Sequence, residues 1–485
     1  LHLCDRRQRQ MCIRDRHMSY KFAIESAKVL ATYGIKSYIF ESLRPTPELS
    51  FAVRYLKCAG GIMITASHNP KEHNGYKVYD DTGCQLLPEA ADQVVQYVNE
   101  VEDELNIKVF SDEEAYPYMT WIGEEVDEAY YKEVMAIEVN PGMDKSDFKI
   151  VFSPQHGTSN IAVRTCLTRL GYDLVPVLAQ CAPDPDFSNT KSPNPEVPAS
   201  YELAIKKAKE VDADVVVITD PDGDRLGVVA KHNGEYVLMS GNQSAAVYLE
   251  YILSQMKEKG TLPDNAVMYN TIVTSDLGEL VARSYGVDVE KTLTGFKFIG
   301  DKIRKYEQTH EKTFVFGYEE SYGCVIKDFV RDKDAVQAVL TAAEAGNFYK
   351  KQGKDLVDVL NELYAKHGTF KETQIALSKA GAAGAARIKE IMDNLRKDAP
   401  QEIGGVKVVK VEDYGNSTCS DGTTIQLPKS NVLKYYLEDG SWIAARPSGT
   451  EPKCKFYFSI KGSDADDAAS KTEVFHKAMM EIIGE

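Results

Sequence analysis

Apolar positions between residues 17 and 103 change period several times. FAIESAKVLATYG carries them at helical spacing, IKSYIFE reads as a strand, TPELSFAVRYL as a second helix, and the apolar run GGIMITA as a strand that delivers Ser67. Such alternation predicts an α/β unit built on a parallel or mixed sheet. The order restarts twice. Strand FKIVFSP, helix NIAVRTCLTRLG and strand YDLVPVL lead through another helix into VDADVVVIT, which ends just before Asp220. Strand AVMYNTIVT, helix SDLGELVARSYG, strand VDVEKTL and a helix after Gly300 lead into KTFVFGYEES. Three units of similar order, each ending a strand at a loop rich in reactive side chains, read as diverged repeats of one domain, with ligands expected at the strand ends. Two further helices, over 334–353 and 355–368, precede a change of composition near the Ala/Gly-rich stretch 379–386. Beyond it a helix, the strands VKVVKVEDY, VLKYYLED and CKFYFSIKG and a last helix from Ala465 predict a smaller α+β domain. The expected division is 17–140, 145–258, 262–375 and 378–485.

At 485 residues the chain exceeds what one core organises, in line with several domains. The net charge of -16, without any cluster of Lys and Arg, argues against a non-specific nucleic-acid binder. No stretch approaches the ~20 apolar residues needed to cross a bilayer. Nine cysteines, odd in number and never spaced CxxC, fit a reducing cytoplasm. The arginine-rich opening LHLCDRRQRQMCIRDR has no apolar h-region, and its MCIRDR resembles a translated adapter scar. Residues 1–16 are therefore expected to be a non-native leader outside the fold.

Four short segments carry the chemistry. In TASHNP (65–70), Ser67 follows a strand and precedes Pro70, which cannot continue a ladder, so the serine is expected at an exposed turn. A serine hydrolase is disfavoured because GxSxG is absent and because His68, next in an extended segment, is expected to point away from Ser67. In DPDGDR (220–225), the alternating Asp220, Asp222 and Asp224 can converge on one hard cation such as Mg²⁺ or Ca²⁺. An EF-hand fails, since its sixth position is Arg225 and its twelfth Lys231. RPSGTEPK (446–453) offers Arg446, Ser448, Gly449, Thr450 and Lys453 between two strands, a donor set suited to a phosphate. In GYEESYG (317–323), Glu319 and Ser321 suit the hydroxyls of a sugar, although neighbouring acids are more often solvated surface. Lys297 lies between aromatic residues in TGFKFIG, where a partly desolvated lysine could exchange a proton, although a snorkelling surface lysine is the more frequent case. Serine, carboxylate cage, acid pair and basic loop together point to phosphoryl transfer.

In this order and at these separations the four motifs resemble the α-D-phosphohexomutase superfamily, from His17 onward, with the strongest likeness to its bacterial α-phosphoglucomutase branch. The resemblance implies three similar α/β domains and a smaller C-terminal domain around a central cleft. It also implies interconversion of glucose 1-phosphate and glucose 6-phosphate through a phosphoserine and a glucose 1,6-bisphosphate that also serves as activator. By it Ser67 is the phosphoserine, and Asp220, Asp222 and Asp224 hold Mg²⁺ with an oxygen of Ser67. His68, Lys77, Arg225 and Lys297 belong to the catalytic set, with Lys77 and Lys297 as candidate acid/base residues. Glu319 and Ser321 recognise the sugar, and Arg446, Ser448, Gly449, Thr450 and Lys453 hold the phosphate that is not reacting. A soluble cytoplasmic monomer or weak homodimer, with no nucleic-acid or membrane partner, is implied as well.

Two departures stand out. Some members carry a histidine just after the sugar motif, where this chain has Tyr322 and Gly323. The family also begins with strands and a loop whose arginine approaches the phosphoserine, and no such segment precedes His17; unpaired sheet edges, exposed apolar surface and weakened activity are expected in the first domain. The alternatives are a phosphomannomutase or phosphopentomutase on the same scaffold, and a non-catalytic sugar-phosphate binding remnant.

Overall fold

This computed structural model describes residues 16–449 and 451–485; Leu1 to Asp15, and the candidate phosphate ligand Thr450, lie outside the described residues. The chain forms two compact units. One carries the chain through Asn270 with Tyr285–Glu290 and Gly295–Val359, the other Thr271–Ser284, Lys291–Thr294 and Leu360–Glu485.

The first unit repeats the predicted α/β order. Its leading part contains the helices Ser19–Thr32, Thr46–Tyr55, Pro88–Asn99 and Glu124–Met135. Its strands form two separate pairs: Ser37–Phe40 parallel to Met119–Ile122, and Gly60–Ile64 antiparallel to Tyr76–Asp80. The helix Pro88–Asn99 buries none of its residues and leaves Val94, Val95, Tyr97 and Val98 exposed.

The middle part is one five-stranded sheet ordered Asp173–Pro176, Lys149–Ser153, Val215–Thr219, Leu226–His232, Glu235–Met239. The first three strands run parallel, and the last two close an antiparallel hairpin at Asn233-Gly234, where both residues have positive φ. Val215–Thr219 is buried at every position, as expected of a central strand covered on both faces. The third part is a four-stranded sheet in which Thr313–Tyr318 pairs parallel to Ala266–Thr271 and antiparallel to Cys324–Val325.

The helix Ala335–Lys350 is buried almost all round. Its N-cap, Asp334, accepts from the Val336 and Gln337 backbone N–H groups and from the Tyr130 hydroxyl. Burial pushes the Asp334 carboxyl up to about 6, against those hydrogen bonds, which lower it. The stabilising contribution of the protonated acid is therefore complete below its ordinary value of 3.8 and lost as pH rises through about 6. The difference between the two values amounts to ~3 kcal/mol. Asp334→Asn, which stays neutral, is expected to flatten this slope, read as urea midpoints of both proteins between pH 4 and 7.

The second unit is an antiparallel sheet ordered Thr369–Ser378, Lys453–Gly462, Trp442–Pro447, Leu433–Leu437, Val406–Asp413, Glu402–Ile403, with Thr418–Cys419 beside Val406–Asp413. The helices Gly381–Lys397 and Ala465–Ile483 supply Ile391, Met392, Leu395, Phe475 and Met479 to its core, against Tyr435, Phe456 and Phe458. The strand Thr369–Ser378, placed mostly in the third domain by the expected boundary at 375–378, pairs along its length with Lys453–Gly462. Its opening, TFKET, is too polar to announce a strand, while Ile375 and Leu377 pack on the core of the second unit.

Candidate active site

Ser67 sits between the strands Gly60–Ile64 and Tyr76–Asp80, in a loop that closes tightly on itself. The Thr65 N–H donates to Gly75 O at 3.1 Å and the Ser67 N–H to Thr65 Oγ1 at 3.0 Å. A Cβ at Gly75 would lie 2.5 Å from Thr65 O, so a side chain there would force the two arms apart. Ser67 itself has φ 52, a left-handed conformation that costs a non-glycine residue about 1 kcal/mol or more and that clusters at functional sites.

That turn overturns the expectation that His68 points away. The backbone at Ser67 is not extended, and His68 Nδ1 lies 3.1 Å from Ser67 Oγ. Ser67 Oγ donates to Asp220 Oδ2 at 2.6 Å. Serine and aspartate trio thus meet, within one compact unit.

The trio follows the buried strand Val215–Thr219. Gly223, at φ +69, makes the turn; a Cβ there would lie 2.8 Å from Pro45 Cβ. Backbone bonds from Thr46, Thr158 and Ala335 to Asp222, Pro221 and Gly223 carbonyls pin the loop on three sides. Asp220, Asp222 and Asp224 are all buried, and one carboxylate oxygen from each lies within 4.8 Å of the others. Oδ1 of Asp222 and Oδ1 of Asp224 are buried without a hydrogen-bond partner. Orphaned anionic oxygens converging in this way fit a hard divalent cation, which takes oxygen ligands.

Cations already face the cage. Lys77 Nζ is 2.9 Å from Asp222 Oδ2 and 3.7 Å from Asp224 Oδ2. Lys333 Nζ is 3.2 Å from Asp224 Oδ2 and 3.1 Å from Asp332 Oδ1. Arg225 Nε stands 3.7 Å from Asp224 Oδ1, with Nη1 on Glu196 Oε1 at 3.1 Å. Burial works against the ammoniums, yet Asp222 and Asp224 hold the Lys77 proton above its usual value, and Asp224 and Asp332 do the same for Lys333. Burial pushes the Asp222 carboxyl up, in part offset by Lys77. For Asp220, burial and Asp224 work upward, but hydrogen bonds from His68 and Asp222 and the charge of Arg225 leave it below its usual value.

Lys333 is absent from the sequence prediction. It lies in FVRDKDAV, where four charges in a row look like solvated surface, and nothing local distinguishes it.

The sugar-recognition candidates adjoin the metal loop through backbone. Leu226 N–H donates to Tyr322 O at 3.0 Å, and Arg225 bridges to Gly323. Glu319 is buried, its N–H bonded to Gly323 O and its Oε1 accepting from Gly295 N–H at 2.8 Å. Ser321 is half-buried beside it. That bond brings the TGFKFIG turn to Glu319. Lys297 is half-buried there, its Nζ 5.7 Å from the Phe298 ring centre, and it is not part of the ion pairs around the cage.

In the second unit Arg446, Ser448, Gly449 and Lys453 occupy the hairpin between Trp442–Pro447 and Lys453–Gly462. Ser448 N–H donates to Lys453 O at 2.7 Å, and the Glu451 N–H to Ser448 Oγ. Gly449 is exposed, with open space where a Cβ would stand.

Four family profiles run through the chain in order: phosphoglucomutase/phosphomannomutase alpha/beta/alpha domain I at residues 14–105, domain II at 128–234, domain III at 240–367, and the C-terminal domain at 385–477. A phosphoglucomutase of Staphylococcus epidermidis is 39% identical over 464 residues, spanning 94% of this chain and 83% of that protein. A phosphoglucomutase of Staphylococcus aureus is 40% identical over 463 residues, spanning 94% and 82%. The solved open form of the Paramecium phosphoglucomutase parafusin superposes with a TM-score of 0.72 over 97% of this chain and 87% of that one, at 20% identity, which is a likeness of fold.

Proposed function

The chain belongs to the phosphoglucomutase/phosphomannomutase family, and from that premise we propose that it interconverts glucose 1-phosphate and glucose 6-phosphate through a phosphoserine at Ser67. The observation that carries this reading is the 2.6 Å hydrogen bond from Ser67 Oγ into the buried carboxylate trio.

Phosphoryl transfer needs positioning and neutralised charge more than covalent chemistry by the protein. In the first half-reaction the Ser67 Oγ–P bond breaks, a bond forms from phosphorus to the sugar hydroxyl, and the hydroxyl proton leaves. Glucose 1,6-bisphosphate results. In the second half its other phosphoryl group returns to Ser67, whose proton departs. The 3.1 Å approach of His68 Nδ1 to Ser67 Oγ suits it to hold or give back that proton. Lys77 and Lys333, their protons held by carboxylates, suit charge neutralisation and proton donation better than proton abstraction; Lys297 is assigned the sugar-side proton. Mg²⁺ would be held by Asp220, Asp222 and Asp224 with a phosphoserine oxygen, and when bound it draws off negative charge from the moving phosphoryl group. Arg225 supports the same group.

Glu319 and Ser321 take the sugar hydroxyls. Arg446, Ser448, Gly449, Thr450 and Lys453 take the phosphate that stays put, binding energy common to both half-reactions. Arg446→Gln is expected to raise KM for glucose 1-phosphate about tenfold or more, the worth of a charge-assisted hydrogen bond. Steady-state kinetics of the variant check this. No helix among the described residues is long and apolar enough to cross a membrane; a reducing cytoplasm matches the cysteines at Cys58, Cys84, Cys166, Cys181, Cys324, Cys419 and Cys454, which are all free.

Turnover of glucose 1-phosphate, mannose 1-phosphate and ribose 1-phosphate, with Mg²⁺ and a trace of glucose 1,6-bisphosphate, tests the reading. Glucose is expected to lead in kcat/KM by about tenfold or more. Absence of glucose 6-phosphate, or faster turnover of either other sugar, contradicts it.

A further inference from the structure

The serine loop closes around a side chain that takes no part in the chemistry above. Arg16, expected to lie in a foreign leader, is fully buried and integral to the fold. All five of its N–H donors go to backbone oxygens of the loop. Nε donates to His73 O at 3.1 Å, Nη1 to Ser67 O at 3.2 Å and Asn69 O at 2.9 Å, and Nη2 to Pro70 O at 2.6 Å and His73 O at 2.8 Å. The Phe187 ring lies against the guanidinium, its centre 5.3 Å from Cζ. The match to the family's first domain begins at residue 14 and so includes Arg16.

Four carbonyl dipoles aimed at one spot repel each other. A flat cation with a fixed fork of donors holds them together, which a lysine, with a compact point charge and three donors, does less completely. One of the four is the carbonyl of Ser67 itself, whose φ of 52 persists where the surroundings over-determine it.

We infer that Arg16 is a positioning residue for phosphoryl transfer: its guanidinium locks the left-handed turn at Ser67 and so aims Oγ at Asp220. Because these five bonds go to backbone oxygens, it acts through the loop and not on the phosphoryl group. The inference rests on the reading of Ser67 as the acceptor and donor of the phosphoryl group.

Arg16→Ala and Arg16→Lys test it, each compared with the unsubstituted chain. Misplacing a reacting atom by an ångström costs about a hundredfold, so kcat of Arg16→Ala is expected to fall by about that factor with KM changed less than about threefold, and Arg16→Lys to fall between. Guanidinium ion at low millimolar concentration is expected to recover about tenfold of the lost kcat in Arg16→Ala, by refilling the site between the carbonyls and Phe187. A kcat within about threefold of the unsubstituted chain overturns the inference. So does a loss that guanidinium does not reverse in a variant with the native melting temperature. If Arg16→Ala fails to fold, Arg16→Lys decides by the same split of kcat against KM. If the unsubstituted chain itself turns over no sugar phosphate, the function fails separately, and amide exchange over residues 67–74 decides for Arg16: faster exchange in Arg16→Lys supports the lock, unchanged exchange removes it.

Discussion

Ser67→Ala is expected to lower mutase turnover by about 10⁴-fold or more while the protein stays folded, because in the proposed scheme it deletes the atom that carries the phosphoryl group between half-reactions. The cost to the fold is small by comparison. Ser67 is half-buried, and its hydroxyl makes one short bond, to Asp220, whose other oxygen keeps the Asp224 and Arg225 backbone N–H groups. Alanine also tolerates the turn no worse than serine, since both bear a Cβ at φ 52. Turnover near the unsubstituted rate would mean that glucose 1,6-bisphosphate exchanges its phosphates without this serine, and the proposed scheme would be wrong.

The second large effect is on Mg²⁺. Stripping the cation with EDTA is expected to reduce turnover by about 10³-fold, the scale at which removing preorganised charge stabilisation is felt. Its affinity is expected to depend on the state of Ser67. In the unphosphorylated protein Lys77 and Lys333 already stand against Asp222 and Asp224, so a dication entering the cage competes with two ammoniums for the same oxygens. Phosphorylation adds a charge of about -1.5 to -2 at that point and tips the balance toward the cation. Calorimetric titration of phosphorylated and unphosphorylated protein is expected to give at least a tenfold difference in Mg²⁺ affinity, favouring the phosphorylated form. Reciprocity then requires Mg²⁺ to stabilise the phosphoserine by the same factor. Equal affinities would place the cation away from Ser67.

Much of this site is legible along the chain because its chemistry is concentrated in short loops after buried strands. Three aspartates at alternate positions after VDADVVVIT have few explanations besides a cation, and the trio does converge. What stays hidden depends on backbone turns and distant partners. His68 is misjudged because nothing in TASHNP declares a left-handed serine. Lys333 looks like a surface charge until Asp224 and Asp332 are seen to enclose it. Arg16 sits among other arginines and gains meaning from carbonyls more than fifty positions away. The hairpin of Leu226–His232 with Glu235–Met239 had a readable signal in Asn233-Gly234, whereas the strand Thr369–Ser378 opens too polar to be seen.

The most direct test is to incubate the chain with glucose 1,6-bisphosphate and Mg²⁺, digest it, and locate the phosphoryl group by tandem mass spectrometry. The account predicts a single phosphorylated residue, Ser67, which loses its phosphate when glucose 1-phosphate is added and stays unlabelled in Ser67→Ala. A phosphate found on another residue, or one on Ser67 that glucose 1-phosphate leaves in place, contradicts it.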